Sequence, residues 1–457
     1  MFDKLIKENK NEIINQTCEL IKIPSVSVET ENPTLPFGEI CTKALNHVLE
    51  LGTSLGFRTK NIDNYCGYIE FGEGEKLVGI IGHLDVVPAL EEDGWTTPPF
   101  SPKIRDGKIF GRGSIDDKGP VIASLYAMKA VKDSCKVSKR VRLIIGLNEE
   151  RNWKCINYYK EHEEWPELGF SPDANFPGIF AEKGILSIEL KNYFKIKDFE
   201  ILDISTNNNA INVVPKYASI TLKPSNCSLL ENIINKKEEN ISISKLDDNI
   251  LKIESFGIAA HAAHPELGKN AIKQLVEFLL KNFKFETEYL KTVYDAGLFD
   301  IESPRFMSEA KLEDESGVLT SNVAILEYEN ENNKLVIKIN LRVPVTLSLD
   351  EIQNKYTSLF NNIEVDRLSV QEPLYVEKDS YLVRTLVDIF NKKSNSNASP
   401  IAIGGGTYAR AFDNFISYGV TMPGKKDMCH QVDEFIEIDD LILASKIYAE
   451  ALYELAK

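Results

Sequence analysis

The sequence predicts an α/β fold interrupted by an α+β insertion, and three observations predict it. The short continuous apolar runs KLVGIIG (76–82) and RVRLIIGL (140–147) read as strands buried on both faces, as in a parallel sheet. Helical patterns over 40–55 and 119–131 alternate with these runs, so the sheet is covered by helices on both sides. From about Ile185 the texture changes to alternating strands, and from about Leu374 the first texture resumes. One discontinuous domain, 1–184 and 374–457, is therefore expected around an insertion over 185–373.

The elements follow in order. Leu5, Ile6, Ile13, Ile14, Cys18 and Ile21 recur at near-helical spacing, and Pro24 stops the pattern. YCGYIEFG (65–72) reads as a strand between the 40–55 helix and the first buried run. In the insertion, ILSIELKNYF (185–194), YASITLK (217–223), NILKIESFGI (249–258) and LVIKINLRVP (335–344) read as strands, with a helix near 270–282. The Asn-, Glu- and Lys-rich stretch Leu229–Asn249 reads as a solvated helix. The last part holds a helix near 380–392, a glycine-rich stretch and a C-terminal helix from Asp439.

Charge and composition exclude several functions. The 457 residues include 53 Lys+Arg and 69 Asp+Glu, so 53 − 69 gives −16, and 43% are hydrophobic. An acidic chain lacks the basic face that nucleic acid or anionic lipid requires, so neither is an expected partner. Seven widely spaced cysteines without a CxxC point to reduced thiols in the cytoplasm. The start, MFDKLIKENKNEII, has no apolar leader, and no apolar run approaches a membrane span of roughly 20 residues.

Five motifs carry polar chemistry. GHLDVVP ends the first buried run, and its His83 and Asp85, two apart on an extended chain, share a face. GRGSIDDKGP places Asp116 and Asp117 before a helix, where an Asp serves either as N-cap or as a bridging carboxylate. GLNEER places Glu149 and Glu150 at a strand end, where paired carboxylates repel unless a cation or proton intervenes. SPDANFP contributes Asp173, by itself a turn former. MCHQVDEF contributes His430 downstream of GGGTYAR, whose glycines lack the phosphate-loop pattern and allow close packing.

Taken in order, HLDVVP, GRGSIDDKGP, NEE, SPDANFP, GGGTYAR and HQVDEF resemble the PepV branch of the dinuclear zinc metallopeptidases, which includes carnosinase, carboxypeptidase G and aminoacylase. The resemblance implies a zinc-exopeptidase-like catalytic domain, a mixed sheet flanked by helices, with 185–373 as an inserted lid. It implies that His83, Asp116 and Asp173 hold one divalent ion and that Asp116, Glu150 and His430 hold a second, Asp116 bridging. Zn²⁺ is the first choice, with Mn²⁺ or Co²⁺ as alternatives. It implies that Asp85 hydrogen-bonds His83, that Glu149 is the general base on a water shared by the two ions, and that the Asp116–Asp117 peptide is cis.

In the insertion, GIAAHAAHP resembles a family motif that places His261 at the scissile carbonyl, with Ala259 where a serine is usual. AINVVP places Asn212 as a second polar contact, and NLRVP places Arg342 as a grip on the substrate carboxylate. Arg410 of GGGTYAR would support that grip. His264 is read as structural, and His47 and His162 as solvated helical residues. Arg151 and Asn175 also depart from the family pattern. The implied activity is hydrolysis of dipeptides or very short peptides with a free N-terminus. Removal of N-acyl groups from amino acids and an inactive metal- or ligand-binding protein are the alternatives. A long lid can replace contacts that a dimer partner supplies in relatives, so a monomer is expected.

Overall fold

The computed structural model describes residues 2–360 and 362–457. By contact density the chain forms two compact units. The first is built from Met1–Ala181, Leu374–Ile401 and Gly406–Lys457, and the second from Glu182–Pro373 and Ala402–Gly405.

The first unit is organised by a nine-stranded mixed sheet. Leu77–His83 runs parallel to Arg140–Gly146 on one side and to Leu168–Ser171 on the other, and Phe415–Ser417 continues the parallel set. Cys66–Phe71 and Arg58–Ile62 extend the other edge antiparallel. Every residue of Leu77–His83 is buried, which its unbroken apolar run anticipates. Two of its glycines are required by close packing: a Cβ at Gly79 would lie 2.6 Å from the Phe415 ring, and one at Gly82 would lie 2.4 Å from Asp117 Oδ2. Helix Lys118–Ser134 is buried almost throughout and packs against Ile438–Ala456. The expected N-terminal helix is two, Phe2–Glu8 and Lys10–Ile21, separated by Asn9, whose side-chain amide donates to the Leu5 carbonyl.

The second unit contains two four-stranded antiparallel sheets. One orders Thr320–Glu329, Lys334–Val343, Gly184–Tyr193 and Glu364–Gln371. The other orders Phe199–Ser205, Tyr217–Pro224, Ile250–Phe256 and Ile241–Asp247. Helix Ala271–Asn282 is capped by Asn270, whose side chain accepts from the Lys273 amide, and presents Ile272, Leu275, Val276 and Leu279 to the core. The expected helix over 229–249 is not formed. A short helix, Cys227–Ile234, gives way to strand Ile241–Asp247, paired with Ile250–Phe256. The alternation in ISIS at 241–244 is a period-two signal that the surrounding polar residues masked.

Candidate metal centre

Ligand sites in parallel sheets gather at the carboxyl ends of the strands. Here the chain leaving three neighbouring parallel strands carries His83, then Glu149 and Glu150, then Asp173. Asp116 enters from the loop before helix Lys118–Ser134, and His430 from the segment before the C-terminal helix.

His83 is fully buried. Its Nδ1–H donates to the Asp85 backbone carbonyl at 2.9 Å, so Nε2 carries the lone pair in the neutral ring. That nitrogen lies 3.0 Å from Asp116 Oδ1 and 3.4 Å from Asp173 Oδ2, in a geometry that satisfies no hydrogen bond. His430 Nε2 lies 3.0 Å from Asp116 Oδ2 and 3.0 Å from Glu150 Oε1. Three groups result, His83/Asp116/Asp173, Asp116/Glu150/His430 and His83/Glu149/Glu150, and in each the donor atoms lie within 4.8 Å of one another; the first two are the sets expected from the sequence. Asp116 belongs to both of those sets, through its two oxygens.

Asp85 contacts the His83 ring as expected, with its Oδ1 3.5 Å from Nδ1, and it also does something the sequence did not suggest. Its backbone carbonyl accepts the ring proton, while its carboxylate accepts the Glu149 and Glu150 backbone amides, both at 3.1 Å. One fully buried carboxylate thus sets the turn that carries both glutamates. Asp117 occupies the N-cap position of helix Lys118–Ser134, but its side chain makes no capping hydrogen bond. Its Oδ2 accepts the His83 amide at 3.1 Å, and its Oδ1 is buried without a partner among the described residues. The Asp116–Asp117 peptide is cis.

The electrostatics show what the cluster lacks. Burial pushes the Glu149 carboxyl well above its ordinary value, and the neighbouring acids add to this against the attraction of His83. Burial and the charge of Asp116 raise Glu150 and Asp173. Burial would lower both imidazoles, but the facing acids win: His83 is raised well above its usual range and His430 is pushed up to about 11. Asp116, despite its burial, is held down by the imidazoles of His430 and His83, so three acids held up and one held down beside two protonated histidines mark a site short of positive charge. Oxygen and imidazole donors, two carboxylates and one histidine per set, fit a pair of divalent ions of the Zn²⁺, Mn²⁺ or Co²⁺ class.

Three buried groups near the cluster escaped the sequence reading. Lys118 is fully buried and donates from Nζ to the Ile23 carbonyl at 2.6 Å, and burial pulls its ammonium down to about 7. Arg112 donates to Glu434, whose carboxylate also accepts the Ile115 amide. Burial and then Asp116 push Glu434 up to about 7, with Arg112 opposing. Both partners sit inside the quoted motifs GRGS and HQVDEF, so the only signal was a charge a few residues from a candidate ligand.

The expected substrate contacts are placed as follows. Asn212 and His261 are both exposed and are brought together in the second unit: Val213 bridges to His261, and the Ala262 amide donates to the Asn212 carbonyl at 2.8 Å. His261 Nδ1 accepts from the Ala263 amide, which leaves the ring proton on Nε2. Arg342 is 3% exposed, with Nε donating to Asn340 and Nη1 to the Gly404 carbonyl. Arg410 lies half-buried in the turn Tyr408–Ala411 of the first unit. His264 is exposed beside Glu266, and His162 is exposed and stacked on Tyr158. His47 is half-buried rather than solvated, and burial holds its pKa down.

The family model described as Peptidase family M20/M25/M40 matches residues 79–454. The chain is 39% identical over 459 residues to the Bacillus subtilis (strain 168) protein named "Putative dipeptidase YtjP", with 98% of each covered. It is 34% identical to a Staphylococcus epidermidis protein named "Putative dipeptidase", covering 100% of this chain and 99% of that one. Among solved structures, human carnosine dipeptidase 1 superposes with a TM-score of 0.62 at 16% identity, covering 100% and 98%. The M20 metallo-carboxypeptidase Sso-CP2 of Sulfolobus solfataricus gives 0.57 at 18%, covering 97% and 98%. At those identities the structural likeness speaks for the fold. No helix among the described residues is long and apolar enough to cross a membrane.

Proposed function

Because the chain belongs to peptidase family M20/M25/M40 and is a metallopeptidase, we propose that it is a dipeptidase acting on dipeptides or very short peptides with a free N-terminus. The observation that carries this reading is the pair of donor sets sharing Asp116, with Glu149 on the turn beside them. The names of the two relatives support the substrate class.

In this reading His83, Asp116 and Asp173 hold one divalent ion and Asp116, Glu150 and His430 the other, Zn²⁺ first, with Mn²⁺ or Co²⁺ as alternatives. Such a pair, when bound, makes a shared water more acidic and polarises the scissile carbonyl. Glu149 takes the proton of the attacking water and returns it to the leaving amine. Asp85 keeps the Glu149 and Glu150 amides fixed, so both carboxylates depart from one rigid turn. His261 contributes its Nε2–H to the carbonyl oxygen. Asn212, Arg342 and Arg410 complete the substrate contacts, with the guanidinium of Arg342 suited to a terminal carboxylate. The seven cysteines, all free, support a reducing, cytoplasmic setting, and in this reading the enzyme is a monomer.

The test is a panel of unblocked dipeptides and N-acetylated amino acids, assayed with Mn²⁺ or Zn²⁺ on one purified sample. Turnover of the unblocked set, and its loss in Glu149→Ala, is expected. Turnover of only the acetylated set would replace the dipeptidase with a deacylase. No turnover of either would leave a metal- or ligand-binding protein.

A further inference from the structure

The segment that carries His430 is held in an unfavourable backbone. His430 has φ 63° and Asp433 φ 56°, two left-handed non-glycine residues within one turn-rich stretch. Such conformations persist only where surrounding contacts impose them. The contacts are present. The Asp433 carboxylate accepts the amide and the hydroxyl of Thr96, both at 2.9 Å. Glu434, fully buried, reaches the other way into the loop that carries Asp116. Its Oε2 accepts Arg112 Nη1 at 2.5 Å, and its Oε1 accepts the Ile115 amide at 3.0 Å and lies 3.4 Å from the Asp116 amide. Arg112, 4% exposed, also reaches the His430 carbonyl at 3.4 Å through Nη2 and stands 5.3 Å over the Trp95 ring.

Glu434 and Arg112 are separated by 322 residues in sequence. They reach beyond the strand pair Phe435–Glu437 with Lys108–Phe110 and the Gly111 amide to Glu434 carbonyl bond at 2.9 Å, and tie the Asp116 loop to the His430 turn by side chains where that ladder has ended. Neither residue offers an atom to the donor sets. Groups that orient ligands in this way tune a metal through the ligands they hold.

We propose that Glu434 and Arg112 are positioning residues that set the separation of Asp116 from His430. They thereby govern affinity for the ion held by Asp116, Glu150 and His430. The inference rests on the dinuclear reading above. The other ion, held by His83, Asp116 and Asp173, depends on this pair only through the backbone of Asp116.

Calorimetric titration of Mn²⁺ into chelator-treated full-length protein tests it. The wild-type chain is expected to take up two ions. Glu434→Gln and Arg112→Met each weaken one of the two by about 10- to 100-fold and leave the other within about threefold. A purely structural role would weaken both ions together or neither, so either pattern overturns the proposal. Each single change strands a buried polar partner, so the double variant Arg112→Met/Glu434→Gln guards against simple unfolding. It removes both groups, and the selective loss is expected to persist. Wild-type affinity in the folded double variant would overturn the positioning role. A wild-type chain that takes up fewer than two ions would instead overturn the dinuclear reading itself, before any variant is considered.

Discussion

Both units bury polar side chains, but they treat them differently. In the second unit Asn340 donates to Ser187 at 3.0 Å, Arg342 donates to Asn340 at 2.9 Å and Asn322 donates to the Val213 carbonyl at 3.0 Å, and the buried side-chain atoms left without partners there among the described residues, such as Ser255 Oγ and Asn322 Oδ1, belong to neutral groups. In the first unit His83 Nε2 and Asp117 Oδ1 are buried without partners among the described residues, and four acids, Asp85, Asp116, Glu150 and Asp173, act on two imidazoles. A largely neutral polar layer, even one with a few groups left over, specifies register and packing. A cluster of buried charges left unsatisfied is costly unless something else completes it. The difference separates residues that serve the fold from residues arranged for an external charge.

The largest test of that contrast is Glu149→Gln. If Glu149 is the base, kcat falls by about 10³-fold or more. Metal uptake stays near wild type, because neither proposed donor set contains this residue. Stability does not fall, since the change removes a carboxyl that burial already disfavours in its charged form. Stopped-time dipeptide assays and thermal melts on the same preparation check both halves. A variant that loses stability as much as activity would make Glu149 a packing residue.

Chelation comes next. A ligand present at about 100 times its dissociation constant stabilises the folded chain by about 2.7 kcal/mol per site. Removing the ions should therefore lower the melting temperature by several degrees and abolish turnover, with both restored by Mn²⁺ or Zn²⁺. An unchanged melting curve would mean that the acid cluster is balanced by protons alone.

Arg342→Ala sharpens the contrast from the other side. Its guanidinium is buried with partners, so truncation leaves the Gly404 carbonyl and Asn340 short of donors and costs about 1–3 kcal/mol. If it also grips substrate, KM for dipeptides with a free carboxylate rises at least about tenfold while kcat changes less. A loss of stability without a change in KM would place Arg342 wholly in the polar layer of the second unit.

How much of this was legible in the sequence follows the same division. The buried strands were visible because a strand covered on both faces must be apolar throughout, as at Leu77–His83 and Arg140–Gly146. The candidate donors were not marked by any single motif, each of which also fits a cap, a turn or a strand end, but by the ordered set of motifs and its resemblance to a known family. The stretch 229–249 was misread because a half-exposed strand pair carries many polar residues and only four alternating positions betray it. The role of the Asp85 carbonyl was hidden because no residue type encodes which carbonyl a ring nitrogen will find. Glu434 and Arg112 were hidden for a different reason: their meaning lies in a contact across most of the chain.

The smallest effect is expected where charge is balanced at the surface of the first unit. Asp3 accepts from Lys393 at 2.7 Å, and Glu450 lies 3.3 Å from the same ammonium. Burial would raise the Asp3 carboxyl, but Lys393 outweighs it and holds the pKa below its ordinary value. A carboxyl depressed in the folded state stabilises above its unfolded pKa, and that contribution disappears as pH falls through the folded value. Asp3 is half exposed, so screening keeps the pair small. Asp3→Asn should therefore cost only about 0.5 kcal/mol at pH 7, read from urea melts. The gap between variant and wild type should close as the pH drops below about 4. A gap that persists in acid would show that packing around Asp3, rather than its charge, supports the N-terminal helix. A gap as large as the change on chelation would remove the contrast between balanced and unbalanced charge in this unit.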